Sequence, residues 1–360
     1  MQVGAIHAIQ NYMDRLSDAE VMRNAMRLAG EYEPAGFDFV LVTEHHFHGY
    51  AMTPEPFDFL CWLASRTRRV RLGPGVTIVP WNDPYRVAAH LINLDHLSGG
   101  RALLGLGRGL SKIEMDLFGI DMSNTREMYA EGARKIIEAV STGVYSGGGR
   151  FHDRPRGAPM RPAPLSTSWK DRTYCVGMSP PSALEAAALG GRLMCFTMTP
   201  WEIFAVTHLR PYLEHFERQH GESAPAMVTL DAVIVHEDAE RARELAHTYI
   251  GNYFDYLIDF YGITGDHLKQ VRGYEAHAEA GDITRANRDA ARKNYVELQA
   301  YGTPKQILEK LAARRSALRH PFDLCCSFGL GGVPAEEAER GIGLFGREVL
   351  PVLKTWRAAA

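Results

Sequence analysis

Short apolar segments alternate with amphipathic segments along almost the whole of this 360-residue chain. The apolar segments have the length of strands and are hydrophobic throughout, which is typical of a parallel sheet that is buried on both faces. The predicted strands cover 3–9, 37–44, 70–79, 101–109, 173–178, 192–197, 227–236 and 322–329. Eight strands close a (β/α)8 barrel, so we predict an α/β fold of the TIM barrel type; a doubly wound open sheet is the alternative.

A predicted helix follows each strand, and a further one precedes the last strand. Ser17 and Glu20 have the spacing of a capping box at the start of the first helix, and glycines follow the third, as helix C-caps favour. The predicted helices cover 17–33, 56–67, 83–98, 126–141, 181–190, 201–219, 238–260, 304–315 and 335–354.

Two segments interrupt the alternation. Residues 143–171, before the fifth strand, combine prolines with a run of glycines, and residues 262–302, between strands seven and eight, are polar and highly charged. Long irregular insertions often form lids or binding loops. No long linker divides the chain, so we predict a single domain over 1–360 that carries these two insertions.

The composition excludes several classes of function. The formal net charge is −3 and there is no basic stripe, which argues against binding of nucleic acid. No apolar stretch approaches the roughly 20 residues that span a bilayer. The N-terminus lacks the pattern of a signal peptide, and the five cysteines do not suggest a disulfide framework. We therefore expect a cytoplasmic protein with reduced thiols that binds neither nucleic acid nor a membrane.

Residues 43–48 read TEHHFH and end the second predicted strand. In barrels of this kind, active-site residues lie at the C-terminal ends of the strands. Adjacent strand residues point to opposite faces, so His45 and His46 are poorly placed to bind one ion, and we predict no metal site. Each histidine is either a hydrogen-bonded structural residue or a general acid/base that a neighbouring carboxylate orients. Only one of the pair should face the barrel mouth, and the other should face helix two or a partner subunit.

Three further strand ends carry residues that suit a bound ligand. Gly75 allows close backbone approach to a ligand, although a tight barrel interior is the plain alternative. Arg108 and Arg126 could bind phosphate, or could form surface ion pairs. Ser179 and Ser182 stand at a helix N-terminus, where exposed N–H groups favour phosphate, although a serine N-cap is common. Together the arginines and serines predict a phosphate-binding site.

Read together, these segments resemble the bacterial luciferase-like flavin monooxygenases, and especially the luciferase α-subunit type. The combination of EHHF with the later LSGGR…RG block is specific to that family. The resemblance covers most of the chain, through GFDFVLVTEHHF (36–47), LGPGVTIVPWNDPYR (72–86), LDHLSGGRALLGLGRGLSKIEMDLFGIDMSNTR (94–126), RGYEAH (272–277), YGTPKQ (301–306) and PFDLCCSFG…PVLK (321–354).

The resemblance implies an enzyme that binds reduced FMN (FMNH2) at the C-terminal mouth of the barrel. The flavin reacts with O2 to form a C4a-peroxide, which oxygenates a small organic substrate, a carbonyl compound or similar, by hydroxylation or Baeyer–Villiger oxidation. A separate NAD(P)H:flavin reductase supplies the reduced flavin. Residues 262–302 match the luciferase mobile loop in position, so we expect them to form a mobile lid. Two copies of the chain are expected to form a homodimer through helices two and three.

The resemblance also assigns the site residues. His45 matches the catalytic histidine of the family, and Glu44 precedes it. Arg108 and Arg126 match phosphate-binding arginines, and Glu114 falls where luciferases have an acidic residue near the flavin. Gly75-Val76 matches a dipeptide under the flavin ring, which is joined by a non-proline cis bond in luciferases. The expected cofactor-binding residues are Gly75, Val76, Gly107, Arg108, Glu114, Arg126, Met178, Ser179 and Ser182.

Four positions depart from the luciferase pattern. Gly107 replaces a reactive cysteine and removes bulk beside the flavin. Pro180 replaces a residue whose backbone N–H touches phosphate, and Ser179 and Ser182 are expected to compensate. Thr197 and Tyr253 stand at tryptophan positions and are expected to line a reshaped substrate pocket. The resemblance therefore does not imply a long-chain aldehyde substrate or light emission.

Two other functions share this barrel. A reductase or dehydrogenase that uses the deazaflavin F420 would bind a cofactor with a longer acidic tail. A non-catalytic flavin-binding subunit, like the luciferase β chain, would not need the retained Glu44, His45 and Arg108. A metal hydrolase is a more distant alternative.

Overall fold

A ring of parallel strands forms the centre of the computed structural model, which describes residues 1–356. The strands are β1 (Val3–His7), β2 (Phe39–Val42), β3 (Arg71–Pro74), β4 (Thr77–Ile78), β5 (Leu104–Gly107), β6 (Val144–Tyr145), β7 (Ala158–Pro159), β8 (Thr173–Val176), β9 (Arg192–Phe196), β10 (Met227–Val235), β11 (Ala300–Gly302) and β12 (Phe322–Ser327). The ring order is β3-β2-β1-β12-β10-β9-β8-β5-β4. Since β3 and β4 are two parts of the third predicted strand, the ring is a nearly closed α/β barrel, as the sequence predicts.

Helices surround the ring. They are α1 (Asp18–Glu31), α2 (Pro56–Arg66), α3 (Pro84–Ser98), α4 (Lys112–Leu117), α5 (Thr125–Thr142), α6 (Pro180–Ala188), α7 (Trp201–Phe204), α8 (Arg210–His220), α9 (Ala239–Leu245), α10 (Gly251–Phe260), α11 (Glu275–Ala286), α12 (Arg288–Leu298), α13 (Pro304–Leu318), α14 (Ala335–Leu344) and α15 (Leu350–Thr355). Short π-helical turns join α7 to α8, α9 to α10 and α14 to α15. No helix within residues 1–356 is long and apolar enough to cross a membrane.

Strand alternation divides the apolar side chains between two layers. Phe39 and Leu41 belong to the cluster that fills the barrel interior, whereas Val40 and Val42 pack outward with the helices. Gly4 provides space for one of these interior rings, because a Cβ atom there would lie 2.2 Å from the Phe39 side chain. This interior cluster fills the lower part of the barrel, and a cavity remains toward the strand ends.

The two interrupting segments contain secondary structure of their own. Residues 143–171 include the antiparallel pair β6–β7. Residues 262–302 are mostly helical, because they form α11 and α12 before β11, which pairs with the outer end of β10. The helix α4, which the sequence pattern does not predict, begins at the Ser111 N-cap just after β5. Together α4 and α10–α12 form a wall around the C-terminal mouth of the barrel.

Candidate active site

A cavity of about 820 Å³ lies at the C-terminal ends of the strands, which is the usual position of the active site in such barrels. Its volume is within the range of small-molecule and cofactor sites. Helices α10, α11 and α12 supply its outer wall. The predicted site residues that line it are Glu44, His45, Gly75, Val76, Gly107, Arg108, Glu114, Met178, Ser182 and Tyr253.

His45 is held between a carboxylate and a phenol. Its Nδ1 lies 3.2 and 3.3 Å from the two carboxylate oxygens of Glu114, and its Nε2 lies 3.3 Å from the hydroxyl of Tyr261. The Glu114 carboxylate is buried and also accepts the backbone N–H of His46 at 2.7 Å. A carboxylate on Nδ1 favours the tautomer that carries its proton there, which leaves Nε2 to exchange a proton on the cavity side.

Glu44 has a different set of partners. Its Oε2 accepts the backbone N–H of Ile78 at 3.0 Å, and its Oε1 accepts from the Trp81 indole at 2.6 Å and from the Asn82 amide at 2.8 Å. These donors belong to β4 and the turn that follows it. The carboxylate that orients His45 is therefore Glu114, while Glu44 fixes the third strand end to the second.

His46 does not face helix two. Its ring packs edge-on against Phe118 at 4.8 Å and against Trp81 at 5.8 Å, and its Nε2 lies 3.3 Å from Glu44. His46 and His45 point to opposite faces, as strand alternation predicts, but His46 packs against the end of α4. Within residues 1–356, no three or more acidic, histidine or cysteine side chains form a group that could hold a metal ion.

The third strand end forms a close backbone surface. The Gly75-Val76 peptide is cis, as the resemblance implies, and it interrupts the ladder between β3 and β4. Gly107 lies opposite, and a Cβ atom added there would lie 2.4 Å from Cγ2 of Val76. The wall at this point therefore has no space for a side chain at position 107 without movement of Val76.

The two predicted phosphate-binding arginines lie side by side over the segment that precedes α11. Arg108 donates to the carbonyl oxygen of Gly273 at 3.1 Å, and Arg126 donates to the same oxygen at 3.2 Å. Arg126 also pairs with Glu185 at 3.2 Å. Arg108 stacks on the Tyr274 ring at 3.9 Å, and its buried Nη1 has no hydrogen-bond partner among the described residues. Arg126 itself does not reach the cavity wall.

Burial shifts the pKa of several groups near this arginine pair. Desolvation lowers the pKa of Arg108, and it raises the pKa of Glu185 against the opposing effect of the two arginines. His277, which sequence reasoning missed, lines the same cavity, and burial together with the arginines lowers its pKa to about 4. Its buried Nδ1 is without a partner among residues 1–356. His277 and Arg108, two residues of the same cavity lining, therefore each have a buried nitrogen that lacks a hydrogen-bond partner among residues 1–356.

The two serines after β8 differ in their position relative to the cavity: Ser182 lines it and Ser179 does not. Ser179 is buried as the N-cap of α6, where its hydroxyl accepts the Ser182 backbone N–H at 3.4 Å, and it does not line the cavity. Ser182 reaches the cavity, and its hydroxyl lies 2.9 Å from that of Ser179. Met178 is also on the wall, and its Sδ accepts the backbone N–H of Phe196 at 3.2 Å.

The predicted substrate-pocket residues divide in the same way. Thr197 is buried outside the cavity, because Phe196 before it points inward and alternation turns Thr197 to the other face. Tyr253 lines the cavity, and its hydroxyl lies 2.7 Å from that of Tyr50. Sequence reasoning missed Tyr50 and Tyr261, because aromatic residues within apolar segments have the pattern of core residues.

Fold and cavity together identify the class of protein as an α/β-barrel enzyme whose site is built from strand-end residues. The family described as luciferase-like monooxygenase has a model that matches residues 1–320. The chain belongs to the luciferase-like monooxygenase family, and it is a flavin-dependent monooxygenase.

The chain is similar in sequence or in fold to several known proteins. The chain is 26% identical over 349 residues to an alkanal monooxygenase alpha chain from Photorhabdus luminescens, with 94% of each covered. Its fold resembles that of the oxygenating constituent of 3,6-diketocamphane monooxygenase from Pseudomonas putida, solved with FMN, with a TM-score of 0.76, 18% identity and 98% of each chain covered. It also resembles an F420-dependent secondary alcohol dehydrogenase, with a TM-score of 0.68, 16% identity and coverage of 96% and 97%.

Proposed function

We propose that this protein is a monooxygenase that uses FMNH2 and O2 to oxygenate a small organic substrate, a carbonyl compound or similar. The observation that carries the proposal is the buried, unpartnered Nη1 of Arg108, a residue that lines the cavity and lies beside Arg126. A buried guanidinium N–H without a partner is costly, and a phosphate group satisfies it with a charge-assisted hydrogen bond. A terminal phosphate such as that of FMN fits this position.

The rest of the cavity fits a flat ring system. The backbone surface at Gly75-Val76 and Gly107 has no protruding side chain at position 107, so a ring can approach the peptide groups closely. When bound there, the reduced flavin would supply the two electrons that let one atom of O2 enter the substrate while the other leaves as water.

The residues of this chain would orient the reactants and move protons. Glu114 holds the His45 imidazole, and Nε2 takes up or delivers the proton that the oxygenated substrate or the departing water requires. Helices α10–α12 line the outer side of the cavity, where they would limit the access of water to the reacting centre. We propose that residues 262–302 act as its lid, because Gly273 of that segment already contacts both arginines.

We further propose a partner enzyme, a cellular location and an oligomeric state for this protein. A separate NAD(P)H:flavin reductase would supply FMNH2, the protein would act in the cytoplasm, and two copies would associate through α2 and α3. The F420 alternative rests on the fold likeness to the alcohol dehydrogenase, and the non-catalytic alternative is opposed by the carboxylate-bound His45 at the cavity.

A titration and an oxygen-uptake assay test the proposal. FMN should bind more tightly than F420, and supplied FMNH2 should drive O2 uptake with release of H2O2 when no substrate is present. His45→Ala should retain FMN binding while oxygenation of an organic substrate falls; His96→Ala, at an exposed ring bonded to a backbone carbonyl, is the matched control. Tighter binding of F420, or unchanged oxygenation in His45→Ala, would overturn the proposal.

A further inference from the structure

Three phenol groups lie on the cavity wall beside His45. Tyr50 and Tyr253 are buried, and their hydroxyl oxygens are 2.7 Å apart. Tyr261, directly after α10, places its hydroxyl 3.3 Å from Nε2 of His45. Burial raises the pKa of all three, that of Tyr253 to about 12, so the phenols stay protonated near neutral pH. The wall therefore presents neutral O–H donors and no phenolate.

These hydroxyls have donor capacity to spare. A hydroxyl carries one proton and can accept hydrogen bonds as well. When one hydroxyl of the Tyr50–Tyr253 pair donates to the other, the second proton is free for a ligand. In the tautomer with its proton on Nδ1, the Tyr261 hydroxyl donates to Nε2 of His45. When Nε2 takes up a proton as well, it donates to the Tyr261 oxygen, and the Tyr261 proton is then free too. A ligand oxygen in the cavity would satisfy both.

The charges on the wall disfavour an ionised substrate. The only cationic side chain that lines the cavity within residues 1–356 is Arg108, which the proposed phosphate would occupy. The Glu44 and Glu114 carboxylates already accept hydrogen bonds from the protein. Glu297 lies toward the edge, where it accepts the Tyr301 hydroxyl and pairs with His247. Among the described residues, therefore, Arg108 is the one cationic side chain on the wall that could bind a carboxylate, and the carboxylates on the wall already have hydrogen-bond donors.

The remaining wall is apolar, and much of it consists of small side chains. Phe254, Leu257 and Ile258 of α10 form one side. Ala276 and Ala280, one helical turn apart on α11, form another side, which leaves space between the helices. Burial of apolar ligand surface against such a wall favours binding, whereas burial of a charged group there does not.

We propose that the hydroxyls of Tyr253 and Tyr261 form a binding site for a carbonyl or hydroxyl oxygen of a neutral, largely apolar substrate. Tyr261 then connects that oxygen to His45: the substrate oxygen accepts the Tyr261 proton as the phenol oxygen takes the proton from Nε2. This inference deepens the proposed function, since it names the substrate class of the same cavity, but the site is defined by contacts that do not depend on flavin.

Three matched probes test the proposal by isothermal titration calorimetry: acetophenone, ethylbenzene and benzoate, each without flavin and in excess inorganic phosphate to mask Arg108. Acetophenone should bind about 3- to 10-fold more tightly than ethylbenzene, as expected for one or two neutral hydrogen bonds, and benzoate most weakly. Tyr253→Phe and Tyr261→Phe should each reduce the preference for acetophenone while the ethylbenzene affinity stays the same, which shows that the cavity is intact.

Tyr256→Phe is the control, because Tyr256 lies on the same helix but does not line the cavity. Tightest binding of benzoate, or an acetophenone preference that survives both Tyr→Phe changes, would overturn the inference. These outcomes are separate from failure of the proposed function, which would appear as a lack of FMN binding or of FMNH2-driven oxygen uptake in the unaltered protein.

Discussion

The carboxylate of Glu114 lies 3.2 Å from Nδ1 of His45, although 69 residues separate the two along the chain. The short helix α4 makes this possible, because the Ser111 N-cap starts it directly after the fourth barrel strand and places Glu114 in its first turn. The same carboxylate accepts the His46 backbone N–H, so it fixes both the ring and the strand end. Glu114 is therefore placed to hold the tautomer and the orientation of His45.

Glu114→Gln should slow oxygenation by about 10- to 100-fold. This is less than the roughly 100- to 10,000-fold contribution of a positioned acid/base group, because His45 itself is retained. The amide keeps the shape but no longer favours an imidazolium. FMN affinity should change little, as measured by fluorescence quenching. The control is Glu127→Gln, an exposed carboxylate that pairs with Arg150. An unchanged oxygenation rate in Glu114→Gln would remove its assigned role.

Arg108→Ala should weaken FMN binding by about 10- to 100-fold, because hydrogen bonds to charged groups contribute about 1.5–3 kcal/mol. Arg126→Ala should weaken it less, because Arg126 lies beside Arg108 without reaching the cavity wall. Riboflavin, which lacks the phosphate, should bind each variant nearly as it binds the unaltered protein. Arg150→Ala, at an exposed arginine, is the control. Equal losses for FMN and riboflavin in calorimetric titrations would contradict the phosphate assignment.

Gly107→Ala should destabilise the fold by about 1–3 kcal/mol, the usual cost of overpacking. The added methyl group would lie 2.4 Å from Cγ2 of Val76 and displace it. Val76→Ala in the same chain should restore most of the loss, because it removes the atom that clashes. Chemical unfolding of the four proteins of this double-mutant cycle measures the coupling. Simple additivity of the two changes would show that the residues do not interact.

The buried His7 should make stability depend on pH. Burial lowers its pKa from 6.5 to about 4 in the fold, so the unfolded chain binds a proton first as the pH falls. The contribution of the neutral His7 to the free energy of unfolding is complete above pH 6.5 and is lost as the pH falls from 6.5 to about 4. From pH 7 to pH 5 the loss is about 2 kcal/mol. His7→Phe, which retains a ring to stack on Phe59, should show a correspondingly smaller decline in urea unfolding; an equal decline would contradict it.

Much of the barrel could be predicted because its signals are local. The strand 70–79 was predicted as one element, but the structure divides it into β3 and β4 at the Gly75-Val76 peptide, whose cis bond the resemblance implies. Thr197 was predicted to line the substrate pocket but lies outside the cavity, one step of alternation after Phe196, because the family match fixed the position and not the face. Ser179 was assigned to phosphate, but its hydroxyl caps a helix.

The contacts that complete the site could not be predicted, because they join distant segments. Nothing near His45 in the sequence indicates that its partners are Glu114 and Tyr261. The carbonyl of Gly273 between the two arginines depends on how residues 262–302 fold over the mouth. Such pairings arise from the three-dimensional path of the chain and leave no periodic pattern.

Glu44 binds the donors of the third strand end, and His45 beside it faces Glu114 and Tyr261. A deletion or insertion of one residue within the second strand would turn the Glu44 and His45 side chains each to the opposite face of the sheet. Glu44 would then lose its hydrogen-bond donors, and the His45 imidazole would lose the Glu114 carboxylate. A one-residue change in the length of this strand should therefore disrupt both sets of contacts at once, so the strand register and the chemistry at its end depend on each other.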